Sequence, residues 1–124
     1  MNLLLDSHAL MWWAMGQGAL RPDAIRAIDT ATSVSASLAM PWELQIKVKL
    51  GKLDLGRARW QDIEESGVAF LAPTLADVLL AADLPLHHRD PFDRLIVAQA
   101  MQRHLVIVTR DAIFARYGIA TLAA

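Results

Sequence analysis

The sequence predicts an α/β domain in which a parallel β-sheet is covered by helices on both faces. Three observations predict it. Short apolar runs of four or five residues recur along the chain, segments of helical periodicity separate them, and several of the runs give way to an acidic residue. A strand buried on both faces reads as a continuous apolar run rather than an alternation, as these do. At 124 residues the chain suffices for one domain with a sizeable core and is too short for two, so residues 1–124 are expected to form a single domain.

Leu3 to Leu5 is the first strand; Asp6-Ser7 ends it, and bulky apolar residues at helical spacing from His8 to Met15 give the first helix. After the Gly16-Gln17-Gly18 break, Pro22 to Thr30 reads as a helix with proline in its first turn. Val34 to Ser37 is a short buried strand. Trp42, Ile46 and Leu50, flanked by Leu44 and Val48, mark an amphipathic helix that stops at Gly51, a C-cap. Asp54 to Arg59 reads as a loop, Trp60 to Ser66 as a short helix and Val68 to Leu71 as a strand. Thr74-Leu75-Ala76-Asp77 has capping-box spacing and opens a helix through Ala82. Pro91 to His104 is the longest periodic helix, with Leu95, Ile96, Ala98 and Met101 available to the core. Leu105 to Val108 is the next strand, Asp111 to Tyr117 a short helix, and Ile119 to Leu122 the last strand.

Composition narrows the function. There is no cysteine, which excludes disulfides, thiolate metal sites and cysteine nucleophiles, and is compatible with a reducing cytoplasm. Any metal must take oxygen or imidazole ligands. No uninterrupted apolar stretch approaches the ~18 residues of a membrane span, and the opening apolar run lacks a basic flank. A hydrophobic share of 55% is high enough to reserve some apolar surface for a partner. The net charge is −1, yet without four particular acids the balance is twelve basic residues against nine acidic, a mildly basic surround that permits a nucleic-acid substrate.

Those four acids are Asp6, Glu43, Asp93 and Asp111, each at the edge of an apolar segment. In an open parallel sheet, ligands bind beyond the carboxyl ends of the strands, where strand order reverses. Asp6 and Asp111 follow strands, and Glu43 and Asp93 come from early helical turns at the same edge. Four gathered carboxylates repel one another unless a cation neutralises them, and hard Mg²⁺ or Mn²⁺ ions take oxygen ligands. Such ions activate water and orient a phosphodiester, so no side-chain nucleophile is required. Asp90-Pro91-Phe92-Asp93 is also a helix start, with Asp90 as N-cap.

Asp6-Ser7-His8-Ala9-Leu10 with Trp12-Trp13, then Trp42-Glu43-Leu44-Gln45-Ile46-Lys47 with Leu50-Gly51-Lys52-Leu53, then Leu84 to Ala100 with its His87-His88-Arg89-Asp90-Pro91-Phe92-Asp93-Arg94 block, and finally Thr109-Arg110-Asp111 resemble PIN-domain ribonuclease toxins, the VapC half of bacterial toxin-antitoxin pairs. The resemblance spans almost the whole chain. It implies a three-layer α/β/α sandwich with a parallel sheet of strand order 3-2-1-4-5. It places the family's acids on Asp6, Glu43, Asp93 and Asp111 as catalytic and metal-binding residues. It further implies Mg²⁺- or Mn²⁺-dependent endonucleolytic cleavage of RNA such as tRNA or rRNA, a homodimer, and neutralisation in the cytoplasm by a cognate VapB-like or Phd-like antitoxin. The departure is Pro41, which removes a backbone donor where the Glu43 helix begins.

Around the acids, Ser7 and Thr109 offer hydroxyls to a carboxylate, a water or a phosphate, with Ser35 a third candidate. His8, with His87 and His88 beyond it, is placed to orient Asp6 or the 87–90 loop. Arg89, Arg94 and Arg110 are set to bind phosphate or to pair with a neighbouring acid, and Lys47 lies one turn after Glu43. Trp12, Trp13, Trp42 and Met15 are assigned to packing and to an antitoxin groove rather than to base stacking. Two further readings of the fold are a non-catalytic PIN-like binding module and a solitary nuclease without an antitoxin. A phosphoacceptor receiver domain is excluded, because no acceptor Asp follows the third strand and no suitable Lys the fifth.

Overall fold

The computed structural model describes residues 1–16 and 18–124; Gln17, in the expected break, lies outside the described residues. Leu3, Leu4 and Leu5 of β1 (Asn2–Leu5) are fully buried, as the middle strand of a two-sided sheet requires. β1 pairs in parallel with β2 (Ser33–Ser37) on one side and β4 (Val106–Thr109) on the other. β3 (Val68–Leu71) adds beyond β2, and β5 (Thr121–Ala123) beyond β4. The order is β3-β2-β1-β4-β5, as the resemblance implies, with helices on both sides.

The helices are α1 (Ser7–Met15), α2 (Pro22–Thr30), α3 (Ala39–Lys49), α4 (Trp60–Glu65), α5 (Leu75–Asp83) and α6 (Pro91–Arg103), followed by a 3-10 turn at Ala112–Tyr117. α3 begins early enough that Pro41 is its third residue. Its missing N–H falls among the first-turn donors that have no intrahelical acceptor, so the helix loses no bond. The helix ends in a Schellman pattern: Gly51, at φ 72°, donates to Val48 O and Lys52 donates to Lys47 O.

Two elements differ from expectation. The last strand begins at Thr121 rather than Ile119, because Gly118, left-handed at φ 74°, closes the 3-10 turn and residues 119–120 carry the chain back to the ladder opposite Ile107. The apolar stripe of α3 faces outward: Trp42 is 66% exposed, Ile46 38% and Leu50 62%, whereas Met40, Glu43 and Leu44 point inward. Periodicity finds a stripe without saying which side the core lies on. Trp42 is therefore not a packing residue of the core; it meets Phe92 edge-on at 5.4 Å. Trp12 and Trp13 are half-buried and pack against the core.

α6 packs on both α5 and α3. Asp77 joins α5 to α6. Its Oδ2 accepts from the Thr74 N–H at 2.8 Å, completing a capping box, and from Arg103 Nη2 at 2.8 Å, while Oδ1 accepts from Arg103 Nη1 at 2.9 Å. The Arg103 hydrogen bonds hold the Asp77 carboxyl below its ordinary value, against the effect of burial. A depressed carboxyl stabilises the fold above its unfolded pKa of 3.8, and that stabilisation is lost as pH falls through the lower folded value. Asp77→Ala, which removes the acceptor half of the capping box and leaves Arg103 without its partner, is expected to cost about 2–4 kcal/mol. A lowered urea midpoint at pH 7 checks it, with the deficit shrinking in strong acid.

Candidate active site

Because β1 and β4 are neighbours, Asp6 and Thr109 leave the sheet side by side. Asp6 N donates to Val108 O at 3.2 Å, and the Thr109 hydroxyl donates to Asp6 Oδ2 at 2.5 Å. Asp6 also caps α1, its Oδ1 accepting from Ala9 N at 2.8 Å. Both oxygens of this buried carboxylate are thus oriented by the protein. Burial raises its pKa; the Thr109 and Ala9 hydrogen bonds oppose the rise, and Asp111 adds to it.

Glu43 points inward from α3 and is buried. Oε2 accepts from Lys47 Nζ at 3.3 Å, one turn on, while Oε1 is buried with no partner. Burial raises the carboxyl; Lys47 lowers it, and Asp90 raises it again. A buried acceptor without a donor costs free energy, so Glu43 is held ready for a cationic or protonated ligand.

Asp93 is the third residue of α6. Asp90 caps that helix, its Oδ1 accepting from Phe92 N at 2.8 Å and Asp93 N at 3.4 Å. The Asp93 carboxyl is raised from 3.8 to about 6, first by burial and then by Asp90, with Glu43 and Asp6 adding repulsion and His88 opposing. Asp93 is thus the carboxyl that feels both Asp6 and Glu43.

Asp111 differs. It caps the 3-10 turn, Oδ1 accepting from Ile113 N at 2.9 Å, and its Oδ2 lies 2.9 Å from His88 Nε2. Its own N–H donates to Thr109 Oγ1 at 3.0 Å. Burial raises the carboxyl, but the His88 and Ile113 hydrogen bonds outweigh it and leave the group below its ordinary value. Among the described residues no three acids or imidazoles already stand as a metal cage.

Of the supporting residues, Ser7 is buried at the start of α1, and exposed His8 stacks on Trp12 at 5.6 Å. Arg110 sits at the same edge, its Nε donating to Ala124 O at 2.9 Å and its guanidinium 4.2 Å over Trp12. A cleft of about 580 Å³ opens beside Thr109 and Asp111, with Arg21 and Arg110 in its walls. Two arginines face elsewhere. Arg89 is exposed and borders a separate, largely apolar cleft with Val78 and Leu95.

Arg94 is buried and is neither a phosphate ligand nor the ion-pair partner expected for Asp93. It donates to four backbone carbonyls: Pro85 at 3.0 Å, His88 at 3.1 Å, Ala82 at 3.2 Å and Leu84 at 2.7 Å. Ser35 donates to Leu3 O at 3.0 Å, inside the sheet. Of the paired histidines, His87 is exposed against Tyr117, whereas His88 is buried and reaches Asp111. The adjacent histidines carried no signal that separated them.

The PIN domain model matches residues 3–120. No curated protein matches the chain in sequence. Among solved structures, VapBC2 from Rickettsia felis, bound to a DNA fragment from its promoter, is similar at 17% identity, with 98% of each chain covered and a TM-score of 0.69. FitAcB from Neisseria gonorrhoeae is similar at 17% identity over 98% of this chain and 96% of the other, with a TM-score of 0.66. FitAB bound to an IR36 DNA fragment gives 14% identity over 97% and 93%, with a TM-score of 0.66.

Proposed function

The chain belongs to the PIN-domain family, and from that premise we propose that it is a metal-dependent endoribonuclease, a single domain over residues 1–124, acting as the toxin of a toxin-antitoxin pair. The observation that carries the reading is the shared fate of Asp6, Glu43 and Asp93: three carboxyls on different elements, all raised by burial and by other acids nearby. Structural carboxylates are normally paired to lower their pKa, as Asp77 is; carboxyls held above it are candidates for a functional role.

The residues fit a hard divalent cation. The donors are all oxygens, Glu43 Oε1 lacks a partner, and Asp93 gains most from a neighbouring positive charge. Asp6, Glu43 and Asp93 would hold Mg²⁺ or Mn²⁺, with Asp111 at the border of the site. Such an ion, when bound, supplies Lewis acidity towards a phosphodiester and its attacking water. Thr109 and the N–H of Ala9 fix the direction of Asp6. Lys47 holds one oxygen of Glu43 and leaves the other free. Arg110, stacked on Trp12 beside the cleft, offers positive charge to an RNA backbone.

A protein partner is supported by the apolar residues that α3 and α5 expose: Leu38, Trp42, Ile46 and Leu50 on the first element's side, Leu75, Val78 and Leu79 on the second. This surface serves a cognate antitoxin or a second copy of the chain, and it is the feature that would remain if the domain were a non-catalytic binding module. No helix among the described residues is long and apolar enough to cross a membrane. The deciding measurement is cleavage of total RNA by the purified chain with Mg²⁺ or Mn²⁺. Cleavage is expected to stop with chelator and with Asp6→Ala; a folded protein that cleaves nothing, or an Asp6→Ala variant that cleaves normally, overturns the reading.

A further inference from the structure

The structure assigns to His88 the role of positioning residue for the acidic site: its Nε2–H fixes the Asp111 carboxylate, and through it the Thr109–Asp6 pair. The inference rests on the functional reading above and deepens it.

Four observations converge. First, the bond is direct, with His88 Nε2 2.9 Å from Asp111 Oδ2, the histidine buried and the carboxylate partly open to solvent. A carboxylate accepts, so the proton of this bond must sit on Nε2, whichever charge the ring carries. Second, the ring has no freedom to leave. It lies 4.4 Å from Phe114 and stacks on Tyr117 at 5.7 Å with 11° between planes.

Third, the backbone of His88 is fastened at both ends. Its N–H donates to the Tyr117 hydroxyl at 2.7 Å, and its carbonyl accepts from Arg94 Nη1 at 3.1 Å. Tyr117 in turn donates to Pro85 O at 2.9 Å. Fourth, the other ring nitrogen, Nδ1, is buried without a partner. A histidine kept only for packing gains nothing from two nitrogens in that place, and an apolar ring would avoid the orphaned atom. The retained imidazole is explained by the one bond it makes.

What that bond transmits is traceable atom by atom. With Oδ2 held by His88 and Oδ1 by Ile113 N, Asp111 cannot rotate. Its backbone N–H donates to Thr109 Oγ1 from the same restrained residue, and an oxygen that accepts there directs its own proton to Asp6 Oδ2. Asp6 presents its remaining lone pairs in one fixed direction. Groups of this kind behind a metal-binding carboxylate typically change affinity or activity by about 10–100-fold when removed.

Mn²⁺ binding to the RNA-free protein, followed by electron paramagnetic resonance, tests this with His88→Leu and His88→Gln, since the glutamine amide reaches the Nε2 position. His88→Leu is expected to remain folded by circular dichroism and to bind Mn²⁺ about tenfold more weakly, while His88→Gln recovers most of the loss. Normal Mn²⁺ affinity in folded His88→Leu, or equal loss in the two variants, overturns the positioning role while leaving the functional reading in place. A wild-type protein that neither binds Mn²⁺ nor cleaves RNA overturns both. Should His88→Leu fail to fold, His88→Phe, which keeps a ring against Phe114 and Tyr117 and removes the donor, supplies the same comparison, and unchanged affinity there overturns the assignment.

Discussion

Asp93→Asn is expected to abolish RNA cleavage and at the same time to make the metal-free protein more stable at neutral pH. The substitution keeps the shape of the side chain and removes its charge. Loss of cleavage follows from losing one of three charged donors at the site, and roughly 10³-fold or more is the scale for removing a preorganised charge-stabilising group. The gain in stability follows from the carboxyl's raised pKa, about 6 instead of 3.8. A group raised on folding stabilises the protein fully below its unfolded pKa, and that contribution is lost as pH rises through the folded value. At pH 7 the ionised Asp93 is therefore a liability, of roughly 1–2 kcal/mol once solvent screening at a half-buried position is allowed for. Urea midpoints of the two proteins should separate at pH 7 and approach each other as pH falls below about 6. An asparagine variant that still cleaves, or that is the less stable protein at pH 7, contradicts the assignment.

Arg94→Met is expected to produce a large loss of stability without touching Asp6, Glu43 or Asp93 directly. The guanidinium serves the carbonyls of Ala82, Leu84, Pro85 and His88, where α5 ends and the chain turns towards α6, and shares only the Pro85 oxygen with another side chain, the Tyr117 hydroxyl. An unsatisfied buried acceptor costs about 1–3 kcal/mol, and with Pro85 O still served by Tyr117, partial rehydration of the others gives a total of about 3–5 kcal/mol. Against the 5–15 kcal/mol typical of a whole domain, that is a large fraction. Thermal melting should fall by roughly 10–20 °C, with Arg94→Lys recovering part of it through three donors. A melting point within a few degrees of wild type would show that these carbonyls find water instead.

The sheet was legible because its strands are continuous apolar runs: Leu3-Leu4-Leu5 needs burial on both faces, and only a central parallel strand supplies it. β5 was not, since a three-residue strand at the edge has no period to read and Gly118 sets its start by backbone conformation. Asp6, Glu43 and Asp93 were visible as acids beside apolar segments, and folding withdraws them from solvent where β1 ends, inside α3 and in the first turn of α6. Arg94 and His88 were not, because whether a polar side chain turns inward depends on which carbonyls or carboxylates await it from distant parts of the chain. The α3 stripe failed for a related reason: two apolar partners are possible for such a helix, the protein's own core or another protein, and spacing is identical for both.

The placement of β1 between β2 and β4 has a consequence for biosynthesis. Asp6 emerges from the ribosome early, but the hydroxyl that orients it belongs to a residue 103 positions later. At about 5–20 residues per second, roughly 5–20 seconds pass between them. During that interval β1 can pair with β2 on one side only, leaving its second edge open and apolar until β4 docks. If the chain is the ribonuclease proposed above, Asp6 is without its orienting hydroxyl, and the enzyme inert, for most of its synthesis. Docking of β4 brings Thr109 to Asp6 and covers that open apolar edge in the same event.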